Sequence, residues 1–269
     1  MISGKSIFSW NVPAILGGDS KRFTEVLLDN DFEGVCLKAA DGNQIFKMHV
    51  DGPFGKWGEN IKFSLIEALR DAGIKIYLWH FLYGADPKGE LATAIKQVTY
   101  FKPDGYIWDV EGNFDSRKSA ESSARVISNG LKMVYPELSQ GLCWWAFPLN
   151  PNNYRIQWHP VKVANAFMET VDVVMPMMYW GGNTSSDAVS YLLKSLKIWA
   201  TLTNLPIVPI GRAYSGDGGV MNPLAIKAFA NKVAELSNDY DLTGISWWSL
   251  DKAIQSESCL EALKETSKF

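Results

Sequence analysis

Trp108-Asp109-Val110-Glu111-Gly112 ends one of eight short apolar runs that recur along this 269-residue chain at roughly even spacing. Most of the runs are apolar without interruption, which is typical of strands buried on both faces. We therefore predict eight β-strands, at residues 6–10, 34–39, 74–81, 105–110, 141–147, 171–179, 207–213 and 244–250.

Segments with helical periodicity lie between the predicted strands, so the chain is read as eight consecutive βα units. Such units form parallel sheets with right-handed crossovers. A closed α/β barrel, the (β/α)8 or TIM barrel, is predicted as a single domain over residues 1–269. An open doubly wound sheet is the alternative, but the chain lacks the glycine-rich phosphate-binding fingerprint of that fold.

Composition limits the classes of function. Apolar residues make up 47% of the chain and charged residues 20%, the balance of a soluble globular protein. The net charge of −3 and the lack of a long basic run argue against nucleic acid as a partner. No run approaches the roughly 20 apolar residues of a membrane span. The N-terminus also lacks the apolar region of a signal peptide, which leaves export by another route open.

The spacing of histidines and cysteines gives no metal signature. The three histidines form neither an HxH nor an HExxH motif, and the three cysteines follow no zinc-binding spacing. We therefore expect neither a metal site nor a cofactor. Sequence alone gives no oligomeric state.

Two carboxylates at the end of the fourth run are the strongest functional signal. Asp109 and Glu111 are two residues apart, so both side chains should point to the same face of the strand. The C-terminal ends of barrel strands carry the active site. Repulsion between neighbouring carboxylates raises the pKa of one, which can then protonate a glycosidic oxygen. Glu111, nearer the strand end, is the predicted general acid. In the alternative, the acids cap loops or pair with Arg212 and Lys38.

Other strand ends supply candidate substrate-binding residues. Flat aromatic rings at a barrel mouth suit stacking against sugar rings, although large aromatic residues also fill cores. Arg212 could pair with the acids or bind an anionic group of the substrate. Asp251 is either a third carboxylate or the N-cap of the last helix. The predicted substrate-binding residues are Tyr179, Trp180, Trp247, Trp248, Arg212, His80, Asp41 and Lys38.

The first half of the chain resembles glycoside hydrolase family 25, the lysozyme-type muramidases. Asp-x-Glu at the end of strand four is similar to the catalytic motif of that family. Leu37-Lys38-Ala39-Ala40-Asp41-Gly42 resembles its Lys-Ala-Thr-Glu-Gly, and Tyr77-Leu78-Trp79-His80-Phe81 is similar to its Tyr-His-Phe. This resemblance implies a barrel that cleaves peptidoglycan.

The second half is more similar to family 18, the chitinase-like barrels. Met177-Met178-Tyr179-Trp180 resembles the Met-x-Tyr-Asp of strand six in that family, and Trp247 or Trp248 takes the place of a Trp under the sugar. Asp104, Asp109 and Glu111 match part of its Asp-x-x-Asp-x-Asp-x-Glu. The resemblance implies that Glu111 is the acid. Asp109 would then orient an acetamido group that acts as internal nucleophile, with Tyr179 hydrogen-bonded to that group.

Three functions follow from these observations. The first is a retaining glycosidase, lysozyme-like or phage endolysin-like, that acts on an amino-sugar polysaccharide such as peptidoglycan or chitin. The second is a non-catalytic carbohydrate-binding barrel, because strand one ends in Ser9-Trp10-Asn11 where family 25 keeps an Asp. The third is a structural component of a phage particle that uses the barrel as a scaffold.

Overall fold

A computed structural model describes residues 1–49, 57–148 and 161–266. Within them, the strands are β1 (Gly4–Ser9), β2 (Gly34–Asp41), β3 (Gln44–Ile45), β4 (Lys47–His49), β5 (Trp57–Glu59), β6 (Lys75–Leu82), β7 (Gly105–Val110), β8 (Ser139–Trp145), β9 (Val173–Met177), β10 (Ile210–Arg212) and β11 (Gly244–Trp248). The helices are α1 (Ser20–Asp29), α2 (Phe63–Asp71), α3 (Pro87–Phe101), α4 (Gly112–Asp115), α5 (Ala120–Val134), α6 (Val161–Met168), α7 (Ser185–Leu202), α8 (Pro223–Glu235), α9 (Leu250–Ala253) and α10 (Glu257–Lys264).

Eight of the strands form a closed parallel barrel. Their order around the barrel is β1, β2, β6, β7, β8, β9, β10 and β11, and β1 closes the ring by pairing in parallel with both β2 and β11. The predicted (β/α)8 fold is therefore confirmed, and the C-terminal ends of these strands meet at one mouth. The single-domain assignment over residues 1–269 stays a prediction.

Alternation along the strands separates two apolar layers. One set of side chains fills the barrel interior, and the other packs between the strands and the surrounding helices. The interior set includes Phe8, Cys36, Tyr77, Trp79, Ile107, Cys143, Met175 and Ile210. Ile2 closes the bottom of the barrel, where a Cβ at Gly105 would approach its side chain to 2.8 Å. Glycine at position 105 therefore leaves room for the Ile2 side chain.

The seam between β9 and β10 is shorter than predicted because of proline. The amides of Val174 and Met178 donate to carbonyl oxygens across this seam, at 3.0 and 2.9 Å. Pro176 lies between them and has no amide hydrogen, so one bond of the ladder is missing. As a result, β10 begins at Ile210 instead of 207; β9 also ends at Met177 instead of 179, and β10 at Arg212 instead of 213.

Short β-pairings occur in the segments that follow the barrel strands. After β2, β3 pairs with β2 and β4 pairs with β5, both antiparallel. After β10, Gly216 and Gly219 form an antiparallel bridge. No helix in the described part of the chain is long and apolar enough to cross a membrane.

Candidate active site

The interior face of β7 and the residue that follows it place the two carboxylates at the mouth. Asp109 is 5% exposed, and its Oδ1 atom has no hydrogen-bond partner among the described residues. Glu111 is half-buried directly after the strand and begins α4 as its N-cap residue. The backbone thus turns away at the point where the second carboxylate reaches the mouth.

Burial is the main cause that raises the pKa of Asp109 well above its ordinary value, and the charge of Glu111 adds to it. The Lys38 ammonium opposes this shift, and the Cys143 thiol, which is hydrogen-bonded to Asp109, does so too. The net upward shift means that Asp109 keeps its proton at a pH at which an exposed Asp is ionised. One proton is therefore held in a buried pair of acids.

Tyr179 lies in the same electrostatic environment. Burial raises the pKa of its hydroxyl well above the ordinary value, and the charges of Cys143, Asp109 and Glu111 contribute to this shift. Its ring is half-buried and packs against the interior cluster of the barrel. The structure therefore brings Tyr179 together with the two acids, and the hydroxyl remains a hydrogen-bond donor at neutral pH.

Aromatic rings form the floor beside these groups. Trp79 and Trp248 meet edge to face with ring centroids 5.6 Å apart, and Phe8 lies 5.7 Å from Trp248. The indole nitrogen of Trp79 donates to the Ser9 carbonyl at 3.2 Å, which fixes that ring. Trp248 is half-buried, so part of its ring remains open at the mouth.

Lys38 and Asp41 form an ion pair on the β2 side of the mouth, with Nζ 2.8 Å from Oδ2. The ammonium of Lys38 also lies 4.2 Å from the ring centre of Phe46 and 4.9 Å from that of Trp79. Such a caged cation contributes a fixed positive charge next to the acid pair. Both residues are at the mouth, as predicted, but each already has a partner in this structure.

Trp180 and Trp247 do not line the mouth, so their predicted contact with substrate disagrees with the structure. Each is one residue away from an interior side chain, and period-two alternation turns it toward the helices. Trp180 stacks on Phe229 of α8 at 5.0 Å, and Trp247 packs against the same ring at 5.7 Å. Both indoles are fully buried in the outer layer of the core.

His80 also faces the outer layer, contrary to the predicted substrate contact. Its Nε2 lies 2.6 Å from the Gly42 carbonyl and its Nδ1 lies 3.1 Å from the Tyr106 hydroxyl. Burial lowers the pKa of His80 to about 4, so the ring is neutral near pH 7. The side chain links the loop after β2 to the barrel wall.

Arg212 binds loops and not the acids. Its guanidinium donates to the carbonyls of Gly216 at 2.6 Å, Gly182 at 2.9 Å and Val220 at 3.2 Å. The guanidinium carbon lies 5.3 Å from the centre of the Trp180 ring. Neither predicted role, pairing with the acids or binding a substrate anion, agrees with these contacts.

Asp251 has neither of its two predicted roles. Its carboxylate accepts the backbone amides of Trp10 and Asn11 at 3.0 and 2.8 Å. The N-cap of α9 is Ser249, because the helix begins at Leu250 and places Asp251 inside its first turn. The carboxylate therefore fixes the chain after β1, the strand that lies between β11 and β2 in the barrel.

The two classes of tryptophan predict different mutational effects. Trp180→Ala should lower the free energy of unfolding by about 3–5 kcal/mol, the usual cost of emptying a buried tryptophan site. Trp248→Ala should lower it less and should weaken oligosaccharide binding more. Urea unfolding and calorimetric titration with an oligosaccharide measure the two effects. Weaker binding by a correctly folded Trp180→Ala protein would contradict this placement.

Two members of this site, Trp79 and Cys143, are not among the residues predicted from the sequence. The register that pairs Asp109 with Cys143 across β7 and β8 brings the thiol to the carboxylate. Strand alternation could have indicated Trp79, which shares a face with Tyr77 and Phe81.

Comparison with solved structures shows the same fold in several glycosidases. A GH18 chitinase from Pseudoalteromonas aurantia superposes with a TM-score of 0.67 at 15% identity, covering 98% of this chain and 100% of the other. A GH113 β-1,4-mannanase gives a TM-score of 0.64 at 12% identity, covering 97% and 96%. The xylanase and amylase inhibitor protein XAIP-III gives 0.63 at 13% identity, covering 99% and 100%.

These similarities establish the barrel fold and no more, because all three identities are low. No protein-family model matches the chain. No curated protein matches it either. The predicted resemblance to family 25 finds no support among these structures, whereas the family 18 features agree with the fold of the chitinase.

Proposed function

We propose that the protein is a glycoside hydrolase that cleaves a polysaccharide of acetamido sugars at the barrel mouth. The observation that carries this proposal is the buried Asp109, which keeps a proton and an unpartnered oxygen next to Glu111. A desolvated carboxyl group with an unsatisfied oxygen costs stability, so a role in binding or chemistry is the natural reason for keeping it. Tyr179 and Trp248 lie beside the pair and supply a donor and a stacking surface.

Glu111 is the general acid in this proposal, since it lies closer to solvent than Asp109. The single proton of the pair passes from Asp109 to Glu111, and Glu111 gives it to the glycosidic oxygen while the bond from that oxygen to the anomeric carbon breaks. The resulting carboxylate then takes a proton from the water that attacks the anomeric carbon. The same residue thus serves as acid in the first step and as base in the second.

Asp109 is a poor candidate for the nucleophile because it is buried, and burial raises its pKa and so disfavours the ionised form that would attack. We therefore assign the nucleophile to the acetamido oxygen of the substrate, which bonds to the anomeric carbon as the leaving group departs. Oδ1 of Asp109 accepts the acetamido N–H as positive charge develops there, and the Tyr179 hydroxyl donates to the acetamido oxygen. Water then opens the cyclic intermediate, and two displacements give net retention of configuration.

The requirement for an acetamido group gives a direct test. Wild-type protein should release shorter oligosaccharides from an N-acetylated oligosaccharide and none from the same chain after chemical deacetylation. Mass spectrometry of the soluble products measures both. Equal cleavage of the two chains would contradict the assignment of the nucleophile.

A non-catalytic carbohydrate-binding barrel is the second candidate. XAIP-III has this fold and is named as an inhibitor, so the barrel alone does not require catalysis. In addition, Ile107 stands two residues before Asp109, where the family 18 pattern has another Asp. Binding of acetylated oligosaccharides without any product after long incubation would favour this candidate.

A further inference from the structure

A groove runs along one side of the mouth, beside the proposed catalytic acid. It consists of two cavities of about 610 and 760 Å³ that share Tyr83 and Arg117. One end reaches Asn113, two residues after Glu111, and the other end reaches Trp57 on the β4–β5 hairpin. We call this the side groove and define it by Lys47, Trp57, Tyr83, Asn113, Arg117 and Lys118.

The carboxylates along the groove already have ion-pair or hydrogen-bond partners within the protein. Asp41 pairs with Lys38. Asp86 accepts the Gly89 amide at 3.0 Å and the Asn43 side chain at 3.1 Å. Glu90, which is buried, accepts the backbone amides of residues 83 and 84 at 3.0 Å. These acids are therefore occupied as structural acceptors.

The cations along the groove are not neutralised in this way. Lys47, Arg117 and Lys118 are exposed, and none of them lies within ion-pair distance of a carboxylate in the described part of the chain, although the charge of Arg117 acts to lower the pKa of the nearby Glu90. The Nε of Arg117 donates to the Tyr83 carbonyl, which fixes the guanidinium at the point shared by both cavities. A guanidinium held by Nε still presents its terminal nitrogens, the fork that binds a carboxylate with two hydrogen bonds.

Trp57 provides an apolar surface at the far end of the groove. Its side chain is 66% exposed, and the ring of His49 lies 4.3 Å from it on the same hairpin. Removing the apolar surface of an exposed indole from water is favourable, and stacking against a sugar ring would do this. The groove thus combines a flat ring, a fixed guanidinium and two lysines within one path from the proposed acid.

We infer that the side groove binds an anionic stretch of the glycan, with Arg117 on a sugar carboxylate and Trp57 against a sugar ring. This inference rests on the proposed function, because it extends the substrate of the same mouth. Lactyl ethers and uronic acids are two sources of carboxylates in glycans, and both present the same group to Arg117. The protein would therefore prefer a carboxylate-bearing polymer to neutral chitin-like chains.

Affinity for matched ligands tests the inference without requiring cleavage. Glu111→Gln protein serves as background so that the ligands stay intact. The ligands are an acetamido tetrasaccharide with lactyl carboxylates, the same tetrasaccharide converted to carboxamides, and a uronate-containing tetrasaccharide. Calorimetric titration is repeated with double variants that combine Glu111→Gln with Arg117→Gln, Arg117→Lys or Trp57→Ala. The matched control is Arg22→Gln, at an exposed position of α1.

The carboxylate form should bind about tenfold more tightly than the carboxamide form, the scale of one charged hydrogen-bonded contact. Arg117→Gln should bring this ratio close to one, Arg117→Lys should retain part of it, and Trp57→Ala should weaken the binding of both ligands equally.

A loss of structure at Arg117 would instead weaken the binding of both ligands without changing the ratio. A ratio near one with Arg117 present, or a ratio unchanged by Arg117→Gln, would overturn the inference. The uronate arm tells which carboxylate source fits.

Failure of the proposed function gives a different pattern. In that case the protein with Glu111 present releases no product from any ligand, while the carboxylate preference persists. If the inference alone fails, neutral acetamido chains are cleaved and Arg117→Gln has no selective effect.

Discussion

Replacing Glu111 with Gln should reduce the rate of glycan cleavage by about 10²–10⁴-fold, the usual effect of removing a general acid or base. Gln keeps the size of the side chain but carries no proton to give to the leaving oxygen. The fold should persist, because Glu111 lies at the mouth and is half-buried. Initial rates of oligosaccharide release measure the loss, and circular dichroism monitors the fold.

The matched control is Glu67→Gln, which removes an exposed carboxylate on the outer helix α2. It should keep the wild-type rate and stability. A Glu111→Gln protein that turns over as fast as this control would exclude Glu111 as the acid.

Replacing Asp109 with Asn should lower the rate by about 10²–10³-fold, the scale of losing one group preorganised for transition-state charge. Asn retains a carbonyl oxygen that can accept the acetamido N–H, but it has no proton to pass to Glu111 and cannot become the carboxylate that balances the positive charge that develops there. Binding of the intact oligosaccharide should therefore change less than the rate. Comparison of kcat with KM separates these effects. A rise in KM as large as the fall in kcat would contradict the assignment.

The same substitution should alter how stability depends on pH. The pKa of Asp109 is higher in the folded protein than the roughly 3.9 of an unfolded chain, because of burial and the charge of Glu111. Below the unfolded pKa, both states are protonated and nothing is lost. As pH rises toward the folded pKa, the unfolded state ionises first, so the wild type loses stability. Asp109→Asn escapes this loss.

Urea unfolding at two pH values measures this difference. Relative to wild type, Asp109→Asn should gain stability between pH 3.5 and pH 7, because the raised pKa destabilises only the wild-type fold over this range. A constant difference between the two proteins at both pH values would show that Asp109 titrates normally in the fold.

The barrel could be predicted from the sequence because its signals are local. Each strand is a short apolar run, and eight of them at even spacing leave few topologies. The positions of Asp109 and Glu111 also followed from the period of two along one strand. Proline at 176 explains why β10 begins at Ile210 and not at residue 207, the predicted start.

The residues that line the mouth could be predicted only in part. Of two adjacent residues in a strand, only one faces the barrel interior, and the sequence did not show which one. Tyr179 and Trp248 face the interior, whereas Trp180 and Trp247, one residue away, face the helices. The predicted strand ends did not fix that parity. The partners of Arg212 and Asp251 are backbone groups of distant loops, and no sequence pattern records such contacts.

The central claim is that the acid pair at the mouth cleaves acetamido glycans with help from the substrate. Proton NMR of an acetamido oligosaccharide during the first minutes of reaction with wild-type protein tests it most directly, with the Glu111→Gln protein run in parallel. We predict that the new reducing end first appears with the anomeric configuration of the cleaved bond, and that the Gln variant yields no signal. An inverted first product, equal signals from both proteins, or binding without any product would contradict the claim.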